Sequence, residues 1–317
     1  MPTNPSAKYP RRISVTGFGL IELMVAVSLM GVLLTGLLEL YLSSRQNYSA
    51  TDSLSRLQEN GRTAIEMIAA DIRRAGFIGS NSDASRVAGS LGPAAAATTC
   101  PTNDTTWARM ITQSLYGIDD ANTNYACISD SQHLRGDILT LRYASPWLVA
   151  DGNMAANTIY MRSTLYDGRL FAGTDQGSAA NDLPDIIEES REMMAHAYHV
   201  GATGRTCNGD AIPALFRVSV GSAGLPVRNE LLAGVEHFQV QYNTGVRYVD
   251  AGSVSDWSTV RSIKIWVLAR AECPETGFTS SRTFPMANLS PVYGPTDRYR
   301  RQLFTTVVAM RNSAVLL

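Results

Sequence analysis

Residues 17–42 read GFGLIELMVAVSLMGVLLTGLLELYL, and this stretch decides how the rest of the chain is organised. Before it lies a leader, residues 1–17, that carries Lys8, Arg11 and Arg12 and no carboxylate. About 25 apolar residues at roughly 1.5 Å each reach about 37 Å, enough to cross a bilayer as a helix. The leader's basic residues hold it in the cytoplasm, which sends everything after Leu42 to the exported side, with Arg45 a weak counter-signal. A secretory signal peptide has its apolar core before the cleavage point. Here the candidate point, Gly17–Phe18, precedes that core, so a cut would remove the leader and keep the apolar helix.

The helical pattern does not stop at the membrane. No proline occurs between Pro10 and Pro93, and Leu54, Leu57, Gly61, Ala64, Ile65, Ile68 and Ile72 recur at spacings of three and four. Arg56, Glu59, Arg62, Glu66 and Arg73 take the other face. The spacing predicts one helix from Phe18 to about Ala75, ended by Gly76, apolar all round in its first half and amphipathic in its second. The amphipathic half needs a sheet to cover its stripe. Gly31 and Gly36 fit either close packing of helices in lipid or a point where the helix can stretch.

Glu22 is the one carboxylate near the start of the span, where an unpaired charge costs a few kcal/mol or more. Cutting after Gly17 makes Phe18 the new terminus, about one helical turn from Glu22. A neighbour shifted by that distance would set its Phe18 ammonium beside Glu22.

Gly17, Phe18, Leu20, Ile21, Glu22, Leu23 and Met24 resemble the N-terminus of type IV prepilins and type II secretion pseudopilins, with Gly19 where the usual pattern has Thr. The resemblance implies a prepilin peptidase that cuts after Gly17 and N-methylates Phe18, and an assembly role for Glu22. A second resemblance, to PilW-type minor pilins, lies in LQENGR at residues 57–62, DIRRAG at 71–76, LAGVE at 232–236, RSIKIW at 261–266 and YRRQLFTTVVAMRN at 299–312. It implies a low-abundance subunit of a priming and tip complex. The implied partners are other minor pilins, the major pilin, the prepilin peptidase, the inner-membrane assembly platform and a large tip adhesin. The implied location is a single pass of the inner membrane, then the pilus tip. J-type minor pseudopilins of type II secretion are the alternative.

Composition narrows the remaining classes. A net charge of −1 gives no reason to expect nucleic acid as a partner. Lysine occurs only at Lys8 and Lys264. Cys100, Cys127, Cys207 and Cys273 all lie on the exported side, where oxidation favours two disulfides. Three pairings are possible, and Cys100–Cys127 with Cys207–Cys273 is preferred because the first closes a short local loop.

Past Gly76 the pattern alternates. Leu139, Leu141 and Tyr143 interleave with Ile138, Thr140 and Arg142; Phe238, Val240 and Tyr242 with His237, Gln239 and Gln241; and Ile263, Ile265 and Val267 with Lys264, Trp266 and Leu268. Asp167-Gly168 signals a two-residue hairpin turn. Leu303–Met310 is a nearly continuous apolar run, as in a central strand. Residues 80–107 and 173–190 read as surface loops. With no strand–helix–strand rhythm, the expected fold is α+β: a long N-terminal helix packed on antiparallel β-sheets. The domains are the leader 1–17, the helix 18–77 with its transmembrane part 18–42, and an exported β-rich domain 78–317.

No enzyme, metal site or cofactor is expected. The chain has no G-x-S-x-G elbow, Walker loop or dinucleotide fingerprint. His196 and His199 sit three apart, which in a strand points them to opposite faces. Asp182, Asp185, Glu188 and Glu189 fit no EF-hand spacing. Arg298, Arg300 and Arg301 form a basic cluster whose carboxylate partner is expected on a neighbouring subunit.

Overall fold

The structure, a computed structural model, describes residues 17, 19–81, 83–91, 106–122, 128–179 and 189–312. Its longest element is the helix α1, Leu20–Arg74. The chain forms two compact units, Met1–Asp52 and Ser53–Leu317.

In the first unit, side chains from Leu20 to Leu42 are exposed on every side of the helix, among them Leu20 at 76% and Leu40 at 69%. This segment is long and apolar enough to cross a membrane. Ser28 and Thr35 turn their hydroxyls back onto the carbonyls of Met24 and Val32, so neither leaves an unsatisfied donor in the apolar surround.

The second unit is a helix on two sheets. Its strands are β1 (Val87–Ala88), β2 (Leu115–Ile118), β3 (Arg135–Leu148), β4 (Ile159–Ser163), β5 (Gly168–Ala172) and β6 (Glu189–Cys207). Next come β7 (Asp210–Val220), β8 (Pro226–Ala233), β9 (Val235–Asn243), β10 (Tyr248–Val249), β11 (Ser262–Arg270) and β12 (Arg301–Ala309). Two four-residue helices, α2 (Thr106–Arg109) and α3 (Gln176–Ala179), sit between strands. The larger sheet runs β1-β5-β4-β6-β3-β2, with β7 added beside β6 and β8 beside β7. The smaller runs β10-β9-β11-β12. All pairings are antiparallel except β1 with β5. The fold is therefore α+β.

Both sheets share the face that α1 covers. Ala64, Ile68, Ala69, Ile72 and Ala75 form one core with Leu139, Leu141, Tyr198 and Val200 of the larger sheet and Phe238, Val240, Ile263, Ile265 and Val308 of the smaller. The buried positions 57, 61, 64, 68, 71 and 75 alternate by four and three, the stripe an amphipathic helix offers a sheet. At Gly61 the approach is closest: a Cβ there would lie 2.1 Å from the Phe304 ring. Gly61→Leu is expected to push Phe304 off the helix and cost about 1–3 kcal/mol. Thermal unfolding measures the loss; an unchanged midpoint would mean that the seam is looser than the structure shows.

Several sequence expectations change here. Both faces of β3 are buried, and Ile138 and Ala144 join another core with Met161, Ala195 and Ala197. That core is roofed by the stretch expected to be a surface loop. Val87 pairs in β1, and Trp107 is 1% exposed. Val87 and Trp107 join this core with Ala108, Met110 and Ile111 just beyond. The hairpin between β4 and β5 forms, but Gly168 is already in β5, paired with Ser163, and the connection is the four residues Thr164–Asp167. The Thr164 hydroxyl accepts from the Tyr166 and Asp167 amides and so supplies the turn that Asp167-Gly168 was expected to make. The Leu303–Met310 run, up to Ala309, lies in β12, which among the described residues is an edge and not a central strand. Residues 173–179 form a short 3₁₀ turn and α3. Asp182, Asp185 and Glu188 lie outside the described residues.

Candidate functional site

Two places in the chain carry the residues an assembly role would use: the start of α1, and the seam where α1 meets the sheets. At the start, Gly17 and Glu22 are exposed, and Phe18 lies outside the described residues. The Gly19 amide donates to Glu22 Oε2 at 2.9 Å, so the carboxylate turns back over the first turn of its own helix. Negative charge is favourable there, because the first amides of a helix have no carbonyl partner. The bond uses one of four lone-pair positions and leaves Glu22 able to accept a further donor.

At the seam, one buried carboxylate gathers three partners. Asp71 is 5% exposed and sits within the apolar stripe of α1. Its Oδ1 accepts from the Tyr143 hydroxyl at 2.6 Å, and its Oδ2 accepts from Tyr198 Oη at 2.5 Å. His196 Nδ1 lies 2.6 Å from the same Oδ2. Strands β3 and β6 thus hold the helix by three side chains, and Arg74 adds a looser contact at 3.6 Å. Burial alone would raise the Asp71 pKa; the bonds and charge of His196, with the two tyrosines, outweigh it and hold the carboxyl below its ordinary value.

The C-terminal end of α1 has its own clamp. The Asn312 amide group donates toward the carbonyls of Arg73, Arg74 and Ala75, at 3.3, 3.3 and 3.4 Å. These belong to the last turn, whose carbonyls lack intrahelical partners. Gly76 follows with φ +80, and its amide reaches Arg142 O at 3.0 Å. A Cβ at Gly76 would meet Asn312 O at 2.6 Å, so glycine is required by both its conformation and its space. Arg142, 1% exposed, donates to Trp107 O and Gln113 O and ties the roof to β3.

The other sequence candidates fall elsewhere. His196 and His199 face opposite sides of β6: His196 meets Asp71, while His199 stacks on Phe216 and takes a bond from Arg228 Nε at 3.2 Å. Burial, with Arg228 beside it, pushes His199 down to about 3, so it stays neutral. Two of the three arginines in the basic cluster have carboxylate partners inside the chain, where a neighbour's was expected. Arg301 bonds Glu236 and Asp297, and Arg300 bonds Glu275. The reason is topological: the 271–300 connection between β11 and β12 folds back so that Glu275 and Asp297 lie beside the start of β12, and Glu236 reaches it from β9. Glu189 is bonded to Arg191 and Ser80. A disulfide joins Cys207, at the end of β6, to Cys273, just after β11, with their Cα atoms 5.3 Å apart. It links the two sheets. Cys100 and Cys127 lie outside the described residues.

Sequence reasoning placed Asp71 in a motif but not in the buried stripe. The signal was available: Asp71 is three residues after Ile68 and seven after Ala64, the spacing that marks a core position.

Residues 197–312 match the family model described as type IV pilus-assembly protein W, PilW. The PilW match runs from within β6 to Asn312, so it takes in the smaller sheet, β7, β8, part of β6 and the clamp on α1, and leaves α1 and β1 to β5 outside. Among solved structures, the type IV-like pilin TTHA1219 from Thermus thermophilus is similar over 82% of this chain and 98% of its own, at 16% identity and a TM-score of 0.39. No curated protein matches the chain.

Proposed function

We propose that the chain is a minor pilin of the PilW type, which enters a priming and tip complex through α1 and promotes assembly of a type IV pilus. The observation that carries this reading is the PilW match on a domain clamped to a helix whose first half is apolar all round. A helix of that kind is stable only among lipids or like helices. In this reading the prepilin peptidase removes residues 1–17, and the new Phe18 terminus of one subunit pairs with Glu22 of the next. The chain works by assembly, not by catalysis. Its partners are other minor pilins, the major pilin, the inner-membrane platform and a large tip adhesin. It resides first in the inner membrane, with the domain in the periplasm, and then at the pilus tip.

The test is the yield of sheared surface filaments from a deletion strain that cannot retract its pili. Blocking retraction matters because weak priming otherwise looks like absence of filaments. A severe loss, restored by the intact gene, is the expected result. Unchanged filaments with lost secretion would replace this reading by a type II secretion pseudopilin.

A further inference from the structure

The run from Leu303 to Met310 has the composition of a central strand, yet β12 has a neighbour on one side only. Among the described residues it pairs with β11 alone. The Met310 amide donates to Arg261 O, and the Ala271 amide to Arg300 O. In an antiparallel ladder the two kinds of pair alternate. Phe304, Thr306 and Val308 therefore turn their N–H and C=O groups to β11, and Thr305, Val307 and Ala309 turn theirs outward. These three residues are exposed, Val307 at 53%.

Edges of this kind are normally guarded by charge, proline, a bulge or shortness. The molecule guards its other long edge so: β8 begins at Pro226 and carries Arg228 and Glu230. The edges at β1 and β10 are two residues each. The stretch Thr305-Thr306-Val307-Val308-Ala309 has no charge, no proline, and an unbroken register with β11. Behind it lies the main core: Val308 is 2% exposed, and Phe304 packs on α1 at Gly61.

We propose that the outward edge of β12, at Thr305–Ala309, takes up a β-strand from a different chain and extends the four-stranded sheet to five. The edge itself specifies the occupant. A row of alternating N–H and C=O groups is satisfied only by an extended backbone. On the α1 side the added residues would be small or apolar, beside Val308. On the other side they would lie next to Thr305 and Val307.

That the strand comes from a different chain rests on the pilus reading. Within the domain, Gly61 faces Phe304 and the Arg73–Ala75 turn faces Asn312, so α1 runs parallel to β12. Two copies joined β12 to β12 about a two-fold would set these helical segments antiparallel. Subunits inserted side by side from one membrane do not adopt that arrangement.

The test places a photo-crosslinking phenylalanine derivative at 305, 307 or 309 of the full chain in cells, with adducts mapped by mass spectrometry. The expected result is one partner chain, with the contact point moving about two residues for each two-residue step of the probe, as strand pairing requires. Val307→Pro removes an outward N–H without touching the ladder to β11. It is expected to lower the 305 and 309 adducts about five- to tenfold, while Val307→Ile keeps them. No adduct, scattered contact points, an adduct of the chain with itself, or a proline variant of normal adduct yield in a folded domain would each overturn the proposal. The adduct map needs no destabilising substitution, so it decides even if Val307→Pro does not fold. Filament yield tests the pilus reading separately, since it is read without any adduct.

Discussion

Replacing Asp71 by Leu is expected to cost the β-rich domain about 3–5 kcal/mol, the range for removing one partner of a buried charged network. Three groups lose their acceptor at once: the hydroxyls of Tyr143 and Tyr198, and Nδ1 of His196. None can turn to water, because all three residues are buried. At about 2–4 °C per kcal/mol for a domain of this size, the thermal midpoint falls by about 6–20 °C. Asp71→Asn keeps one acceptor oxygen and is expected to lose less. The pH dependence follows from the same carboxyl. Its folded pKa lies below the ordinary 3.8, so its contribution is complete above that value and disappears as the pH falls through the folded pKa. Wild type therefore loses stability on acidification below about pH 4, and Asp71→Leu lacks that part of the slope. Equal acid sensitivity in the two proteins would show that Asp71 is not the anchoring charge.

Glu22→Val is expected to leave cleavage after Gly17 intact and abolish incorporation into filaments. In the proposed reading the peptidase acts at the leader boundary, five residues before Glu22. In the same reading incorporation depends on a carboxylate that can accept a neighbour's ammonium in an apolar surround, where an unpaired charge costs a few kcal/mol or more. Glu22 carries only the local bond from the Gly19 amide and has acceptor capacity to spare. Glu22→Gln keeps that local bond but not the charge, and is expected to fail as well. Intact mass of the membrane form, set against the subunit content of sheared filaments, separates the two steps. Normal incorporation of Glu22→Val would exclude the pairing of Phe18 with Glu22.

The two predictions concern opposite ends of α1, and they differ in how far sequence alone supports them. Composition and period were enough to place the apolar span, the amphipathic continuation to Gly76 and an antiparallel, alternating domain, because each depends on residues close together in the chain. Glu22 stands out for the same reason: a lone carboxylate in an apolar run needs no fold to be noticed. Tertiary structure decided which alternating faces were buried. Strand β3 is covered on both sides because Trp107 and Val87 come from a segment too poor in apolar residues to announce a core. It also decided the partners of Asp71, which lie 72, 125 and 127 residues away. Arg300 and Arg301 found carboxylates in the connection before β12 and in β9, and the apolar run of β12 became an edge. Local pattern reports which residues prefer burial; only the strand order reports what is there to bury them, because pairing between distant strands leaves no period in the chain.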